Sequence, residues 1–334
     1  MRINRDILLK IARDTVERES RTNRDLLSAY LIGSLLEAEP LLGGATDIDL
    51  VYVWNSAPPA ERTVQGLTEQ VHLDIAHHSR TLYRQPRRLR QHPWIGPDVA
   101  RATVLYDPQH FMDFTQASVR GQFDRSENVL ERAQRLAEQG RQAWLRFATQ
   151  VPEATPQVIN DYLGALEDAA NAAASLNGAP LAERRFLLLF KERMERLERQ
   201  DLYSSFLGLC CGPQFDLQEI PNWLPAWSTA FENMPVDGIH PAIQPERRGY
   251  YVAGVADLLE SDLPQAALWP ILRSWTRMAV VRSTDESILQ GWQNAFSLLG
   301  LLGEDFTDRI QALDAFLDLV EEAIENWGRR RGVW

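Results

Sequence analysis

Two acidic residues alternate in Thr46-Asp47-Ile48-Asp49-Leu50-Val51-Tyr52-Val53, and a third follows in Val71-His72-Leu73-Asp74-Ile75-Ala76. On a β-strand the side chains alternate between faces, so Asp47 and Asp49 share one face while Ile48 and Leu50 take the other. Anions held that close repel unless a cation lies between them. A neighbouring strand with Asp74 on its polar face completes a cup of three carboxylates, hard oxygen ligands that suit Mg²⁺ better than zinc. Two such ions, roughly 3.5–4 Å apart, can clamp the attacking and leaving oxygens of a phosphoryl displacement.

The elements that must position these acids are legible around them. Ile7, Leu8, Ile11, Thr15 and Val16 recur at helical spacing, which predicts an amphipathic helix over residues 5–28 leading into a strand at Ala29-Tyr30-Leu31-Ile32. Gly33-Ser34 marks a turn, and Leu35 to Glu39 begins a short helix whose free N–H groups favour a phosphate. Pro40 and Gly43-Gly44 stop it. Asp47 to Trp54 and Val71 to Ala76 are rich in β-branched and aromatic residues and read as strands; Ala102 to Tyr106 adds another sheet member. Beyond it the strand signal fades. Helical periodicity marks Ser126 to Ala148, a helix capped by Thr155-Pro156 and stopped by Asn177-Gly178, the charged stretch Leu181 to Arg199, and the pattern Phe306, Ile310, Leu313, Phe316, Val320, Trp327. Recurrent prolines make residues 212–249 an irregular connector with one short helix around Trp223 to Phe231.

Gly33, Ser34, Asp47, Asp49 and Asp74 together resemble the signature of the DNA polymerase β superfamily of nucleotidyltransferases: Gly-Ser, a spacer, Asp-x-Asp, then a later acid on a sheet strand. The resemblance implies that Gly33 and Ser34 hold the β- and γ-phosphates, that Asp47 and Asp49 bind Mg²⁺, and that Asp74 is the third ligand or the base. Thr46 keeps the hydroxyl that many members carry before the first aspartate. The order of the elements is most similar to the kanamycin nucleotidyltransferase-like branch. It implies an α+β protein, with a palm-like mixed-sheet catalytic domain over residues 1–115 and an all-helical domain over 116–334, the latter in two lobes split near 212–249. The implied reaction moves AMP from ATP, or another nucleoside monophosphate from its triphosphate, onto a hydroxyl of a small acceptor, with two Mg²⁺ ions and release of pyrophosphate. A tRNA end or a protein hydroxyl as acceptor, and a nucleotide-sensing or antitoxin-like binder without turnover, stand as alternatives. The branch also allows a homodimer that shares a site.

Other residues bear on this reading. Asn160, Gly164, Glu167 and Asn171 form a stripe along the helix from Thr155 to Leu176; it faces either water or a cleft, where Glu167 would take the proton from an acceptor hydroxyl. Arg80, Arg84, Arg87, Arg88, Arg90 and Arg101 lie between His77 and Arg101 with Asp98 as the single acid among them. This stretch, Arg84 and Arg88 in particular, either grips phosphate or is an exposed helix balanced by acids in space. His72 shares a face with Asp74 and His77 does not, which argues against a zinc site. Cys210-Cys211 reads as core, and Trp223, Trp227, Trp269, Trp275 and Trp292 as packing anchors.

Composition excludes several classes. The net charge of −11 argues against coating long nucleic acids, which takes many cation–phosphate contacts, and leaves a tRNA acceptor as the one nucleic-acid partner considered. Neither Lys10 nor Lys191 follows a glycine, so there is no Walker-type loop, and a Gly-x-Ser-x-Gly elbow is absent. With only two adjacent cysteines, no signal-like apolar block and no run near the ~20 apolar residues of a membrane span, the chain reads as a reduced, cytoplasmic protein.

Overall fold

The computed structural model describes residues 3–149, 152–236 and 238–334. Its sheet contains β1 (Leu26–Ile32), β2 (Thr46–Trp54), β3 (Arg62–Gly66), β4 (Val71–Ser79) and β5 (Thr103–Tyr106), in the order β3-β4-β2-β1-β5. β2 and β4 are parallel and every other neighbouring pair is antiparallel. Every residue of β2 except Asp49 is buried, as a central strand covered on both faces requires.

One face packs on α1 (Arg5–Thr22). Asn4 caps this helix by accepting a hydrogen bond from the Ile7 N–H at 3.0 Å, and Leu8, Ala12 and Val16 form its buried stripe. Burying Leu8 and Val16 contributes about 1.5–3 kcal/mol each. The helix ends at Thr22, short of the expected residue 28, because Leu26 and Leu27 are buried on opposite faces of the sheet, which a strand allows and a surface helix does not.

The other face changes character along its length. At the start of β2 it carries Asp47 and Asp49; further on, Val51 and Val53 join Leu27 and Tyr30 in a core closed by Tyr83 and by α2 (Pro86–Leu89), α3 (Ile95–Arg101) and α4 (Phe111–Arg120). The acids thus occupy the uncovered end of an otherwise packed face.

The remaining helices are α5 (Ser126–Thr149), α6 (Pro156–Ser175), α7 (Phe186–Arg196), α8 (Gln200–Cys210), α9 (Ile220–Glu232), α10 (Arg248–Leu259), α11 (Leu268–Val281), α12 (Glu286–Leu298) and α13 (Glu304–Arg330). The protein is therefore α+β, a mixed sheet followed by helices, as expected from the sequence. By contact density, Met1–Asn128 with Gly249–Gly254 form one unit, and Val129–Arg248 with Val255–Trp334 a second. In the helical unit Thr155 caps α6 by accepting from the Val158 N–H, with Pro156 in its first turn. Trp227, Trp269, Trp275 and Trp292 are fully buried, and the indole N–H groups of Trp227 and Trp292 donate to Ser274 and Thr276. No described helix is long and apolar enough to cross a membrane.

Two local expectations are corrected. The short helix expected over Leu35 to Glu39 is a single 3₁₀ turn, Ser34–Leu36. β3 has no counterpart in the sequence reading: its residues are mostly exposed, so apolar alternation is missing, and the strand exists because it pairs with β4.

Candidate active site

Asp49 and Asp74 are register partners across the parallel β2–β4 pair, and Asp47 is opposite His72 two residues earlier. All four side chains share a face. Asp47, Asp49 and Asp74 each present an oxygen such that the three atoms lie within 4.8 Å of one another. Asp47 is 5% and Asp74 3% exposed. Three carboxylates this close in a half-dry site are strongly repulsive without cations.

The turn after β1 is built against these acids. Gly33 has φ +75°, a region that L side chains rarely adopt, and a β-carbon there would lie 2.0 Å from Asp49 Oδ2. Ser34 follows at the start of the 3₁₀ turn. The Thr46 hydroxyl donates to the Pro40 carbonyl at 3.1 Å, which leaves its oxygen to accept from Ser34 Oγ at 3.1 Å. Thr46 thereby ties the Gly-Ser turn to the residue preceding Asp47.

Two neighbours hold the acids from behind. Arg62 Nε on β3 donates to Asp74 Oδ1, an ion pair with a half-exposed guanidinium and a buried carboxylate. His72, 1% exposed, places Nδ1 3.6 Å from Asp47 Oδ1, and the Tyr250 ring meets the imidazole edge-on at 6.1 Å. Tyr250 reaches it because Gly249 lies against the β3–β4 turn, where a β-carbon would fall 2.2 Å from the Glu69 carbonyl oxygen.

Further along the same face, His78 Nδ1, the Tyr83 hydroxyl and the Tyr30 hydroxyl form a chain with spacings of 2.5 and 2.8 Å. Burial, helped by the positive charges of Arg62 and nearby histidines, lowers His78 to about 4. Burial raises Asp98 to about 6, against the opposing pull of Arg62 and Arg101. Arg62 thus acts electrostatically on both Asp74 and Asp98.

No protein-family model and no curated protein matches the chain. Among solved structures it is similar to a nucleotidyltransferase-like protein from Exiguobacterium sibiricum 255-15, with 12% identity and a TM-score of 0.30 over 94% of this chain and 91% of that one. A likeness at that level carries no argument, so the chemistry rests on the residues themselves.

Of the residues singled out in the sequence, Gly33, Ser34, Thr46, Asp47, Asp49 and Asp74 come together in one place. Arg84 and Arg88 occupy exposed positions on the turns after the C-terminal end of β4, and no hydrogen bond or ion pair joins either to the three acids among the described residues. Arg90 is structural: it donates to the Ser118 carbonyl and to Gln122. Glu167 lies in the helical unit, paired with Arg273 at 3.0 Å, and burial raises its carboxyl despite that partner. Asn171, from the same stripe, is fully buried and accepts from the Leu181 N–H at 2.7 Å. Arg62 and Tyr250 escaped the sequence reading. Thr63-Val64 beside Arg62 was a faint strand signal, whereas nothing near Tyr250 points to residues so distant in the chain.

Proposed function

We propose that the protein is a Mg²⁺-dependent nucleotidyltransferase that moves AMP from ATP onto a hydroxyl of a small acceptor. The observation that carries this reading is the meeting of three carboxylate oxygens within 4.8 Å at the uncovered end of the sheet. The donor set fits the ion: all ligands are hard carboxylate oxygens, and the bare α-carbon of Gly33 leaves room for the Asp49 carboxylate. When bound, Mg²⁺ would neutralise phosphate charge and align the triphosphate.

The chain's own residues supply the rest. Asp47, Asp49 and Asp74 fix where the metal-bound triphosphate sits. Ser34, with its hydroxyl oriented by Thr46, contacts the β- and γ-phosphates, and Arg62 compensates negative charge at the rim. A phosphate contact from Arg84 or Arg88 requires the triphosphate to extend along the sheet toward the C-terminal end of β4, where both are exposed. The acceptor hydroxyl passes its proton to Asp74, its oxygen forms a bond to the α-phosphorus as the bond to the bridging oxygen breaks, and pyrophosphate leaves with that electron pair. Catalysis on this scheme is positioning and charge neutralisation. A proton-accepting role for Glu167 requires its pair with Arg273 to open.

The Arg62–Asp74 pair also favours a second reading, a nucleotide-binding protein without turnover in which an arginine occupies a ligand that catalysis needs. Incubating the chain with α-labelled ATP, Mg²⁺ and a metabolite extract separates the two. Labelled product and pyrophosphate, both lost in Asp49→Asn, support the transferase; Mg²⁺-dependent ATP binding without pyrophosphate supports the sensor.

A further inference from the structure

Tyr250 lies far along the chain from the three acids, yet the segment Gly249–Gly254 at the start of α10 packs with the sheet unit. The two adjacent tyrosines of that segment differ in burial. Tyr251 is 3% exposed and anchors the helix start, with its ring 5.4 Å from that of Tyr250 and nearly perpendicular to it. Tyr250 is only half-buried. Its ring lies 6.1 Å from the imidazole of His72, whose Nδ1 is 3.6 Å from Asp47 Oδ1. Tyr250 therefore stands at the rim of the carboxylate cup, at the end where β2 and β4 begin.

The direction of the displacement decides what reaches that rim. In the strand order β4-β2-β1, Asp74 is on one side of Asp47 and Asp49, and the Gly33-Ser34 turn is on the other. With the phosphate tail at Ser34 and the acceptor at Asp74, the line of displacement runs across the strands. The entering and leaving oxygens occupy that line, and the remaining substituents of the α-phosphorus, the nucleoside 5′-oxygen among them, are equatorial to it. The nucleoside thus leaves along the strands or away from the sheet. Toward the far ends of β2 and β4 the face is closed by Tyr83 and by α2, α3 and α4 packed over Val51 and Val53. Toward their beginnings it meets His72 and Tyr250. A flat base gains most from a flat, apolar surface, and a tyrosine ring provides one at little cost in side-chain freedom.

We propose that Tyr250 is a nucleobase-contacting residue of the active site, its ring packing against the base of the nucleoside triphosphate whose phosphates lie at Gly33 and Ser34. This rests on the transferase reading of the three acids and adds to it the direction in which the nucleoside lies. His72, between Tyr250 and Asp47, sets how far the ring stands from the acids. Because every base has an aromatic face, the contact discriminates a nucleotide from a bare polyphosphate more than one base from another.

Calorimetric titration of the full chain with ATP and with inorganic tripolyphosphate, each in the presence of Mg²⁺, separates the base from the phosphates. Tyr250→Leu, which keeps an apolar group against His72, should weaken ATP at least about fivefold, the ratio for loss of one base–aromatic contact. It should leave tripolyphosphate within about twofold of the parent. Tyr250→Phe keeps the ring and should bind both ligands as the parent does. A residue that merely packs on His72 would instead weaken the two ligands together. Equal weakening of both in Tyr250→Leu, unchanged ATP affinity in that variant, or loss of ATP affinity in Tyr250→Phe overturns the assignment. The transferase reading survives each of these results as long as the parent binds tripolyphosphate with Mg²⁺; a parent that binds neither ligand overturns both.

Discussion

Gly33 and Asp49 fit together so closely that the first has room for no side chain: a β-carbon at Gly33 would stand 2.0 Å from Asp49 Oδ2 and 2.7 Å from its Cγ. Gly33→Ala must therefore move the carboxylate or the turn. Its backbone, φ +75° and ψ −159°, lies in a region open essentially to glycine alone and adds about 1–3 kcal/mol of strain for alanine. The variant should remain folded, melt a few degrees lower, and lose Mn²⁺ affinity by about tenfold or more, since one of three ligands is displaced. Circular dichroism melts and calorimetric Mn²⁺ titration check both parts.

The three acids repel one another when no cation is present, so removing one charge relieves the fold while impairing the site. Asp49→Asn should raise the metal-free melting temperature and abolish the further rise that Mg²⁺ gives the parent by linkage. Thermal unfolding with and without 10-fold steps of Mg²⁺ measures the two effects separately. A parent protein whose melting point ignores Mg²⁺ would remove the metal from the scheme.

Arg62 occupies the Asp74 carboxylate that the metal would share. Arg62→Ala leaves a buried charge with less compensation, and because the guanidinium is nearly half exposed the expected loss is about 1–3 kcal/mol, below that of a fully buried pair. The same change frees a ligand, so divalent-ion affinity should rise even as metal-free stability falls. Opposite signs in a denaturant titration and a Mn²⁺ titration are the expected outcome.

Much of this site is written locally in the chain. Alternation places Asp47 and Asp49 on one face without any tertiary information, and the Gly33-Ser34 turn follows from a strand that runs into glycine. The register that sets Asp74 opposite Asp49 is not local, because it depends on β2 and β4 pairing in parallel. β3 illustrates what local reading misses: an exposed edge strand has no apolar pattern, so nothing local marks Arg62 as a strand residue beside the acids. The Tyr250 contact to His72 depends on a helix start far along the sequence packing on the β3–β4 turn at Glu69. In the helical unit, caps and buried stripes fixed α6, but the pairing of Glu167 with Arg273 required knowing where α11 packs.

His78 and Asp98 set opposing pH dependences on the stability of the sheet unit. His78 has a folded pKa lowered to about 4 from 6.5, so the unfolded chain takes up this proton first, and stability is lost as pH falls from about 6.5 toward about 4. Asp98 is raised to about 6 from 3.8; the folded protein holds its proton more tightly, so this contribution is full below about 4 and lost as pH rises through about 6. Relative to the parent, His78→Asn, which retains a hydrogen-bonding group for Tyr83, should therefore gain about 1–3 kcal/mol on acidification from pH 7 to pH 4.5. Asp98→Asn should lose a comparable amount relative to the parent over the same interval, while Asp168 in the helical unit, raised to about 6, acts in the direction of Asp98 equally in all three proteins. Urea titrations of the three proteins at pH 4.5, 5.5 and 7 resolve the slopes, and parallel pH profiles would show that neither burial shifts a proton between the states.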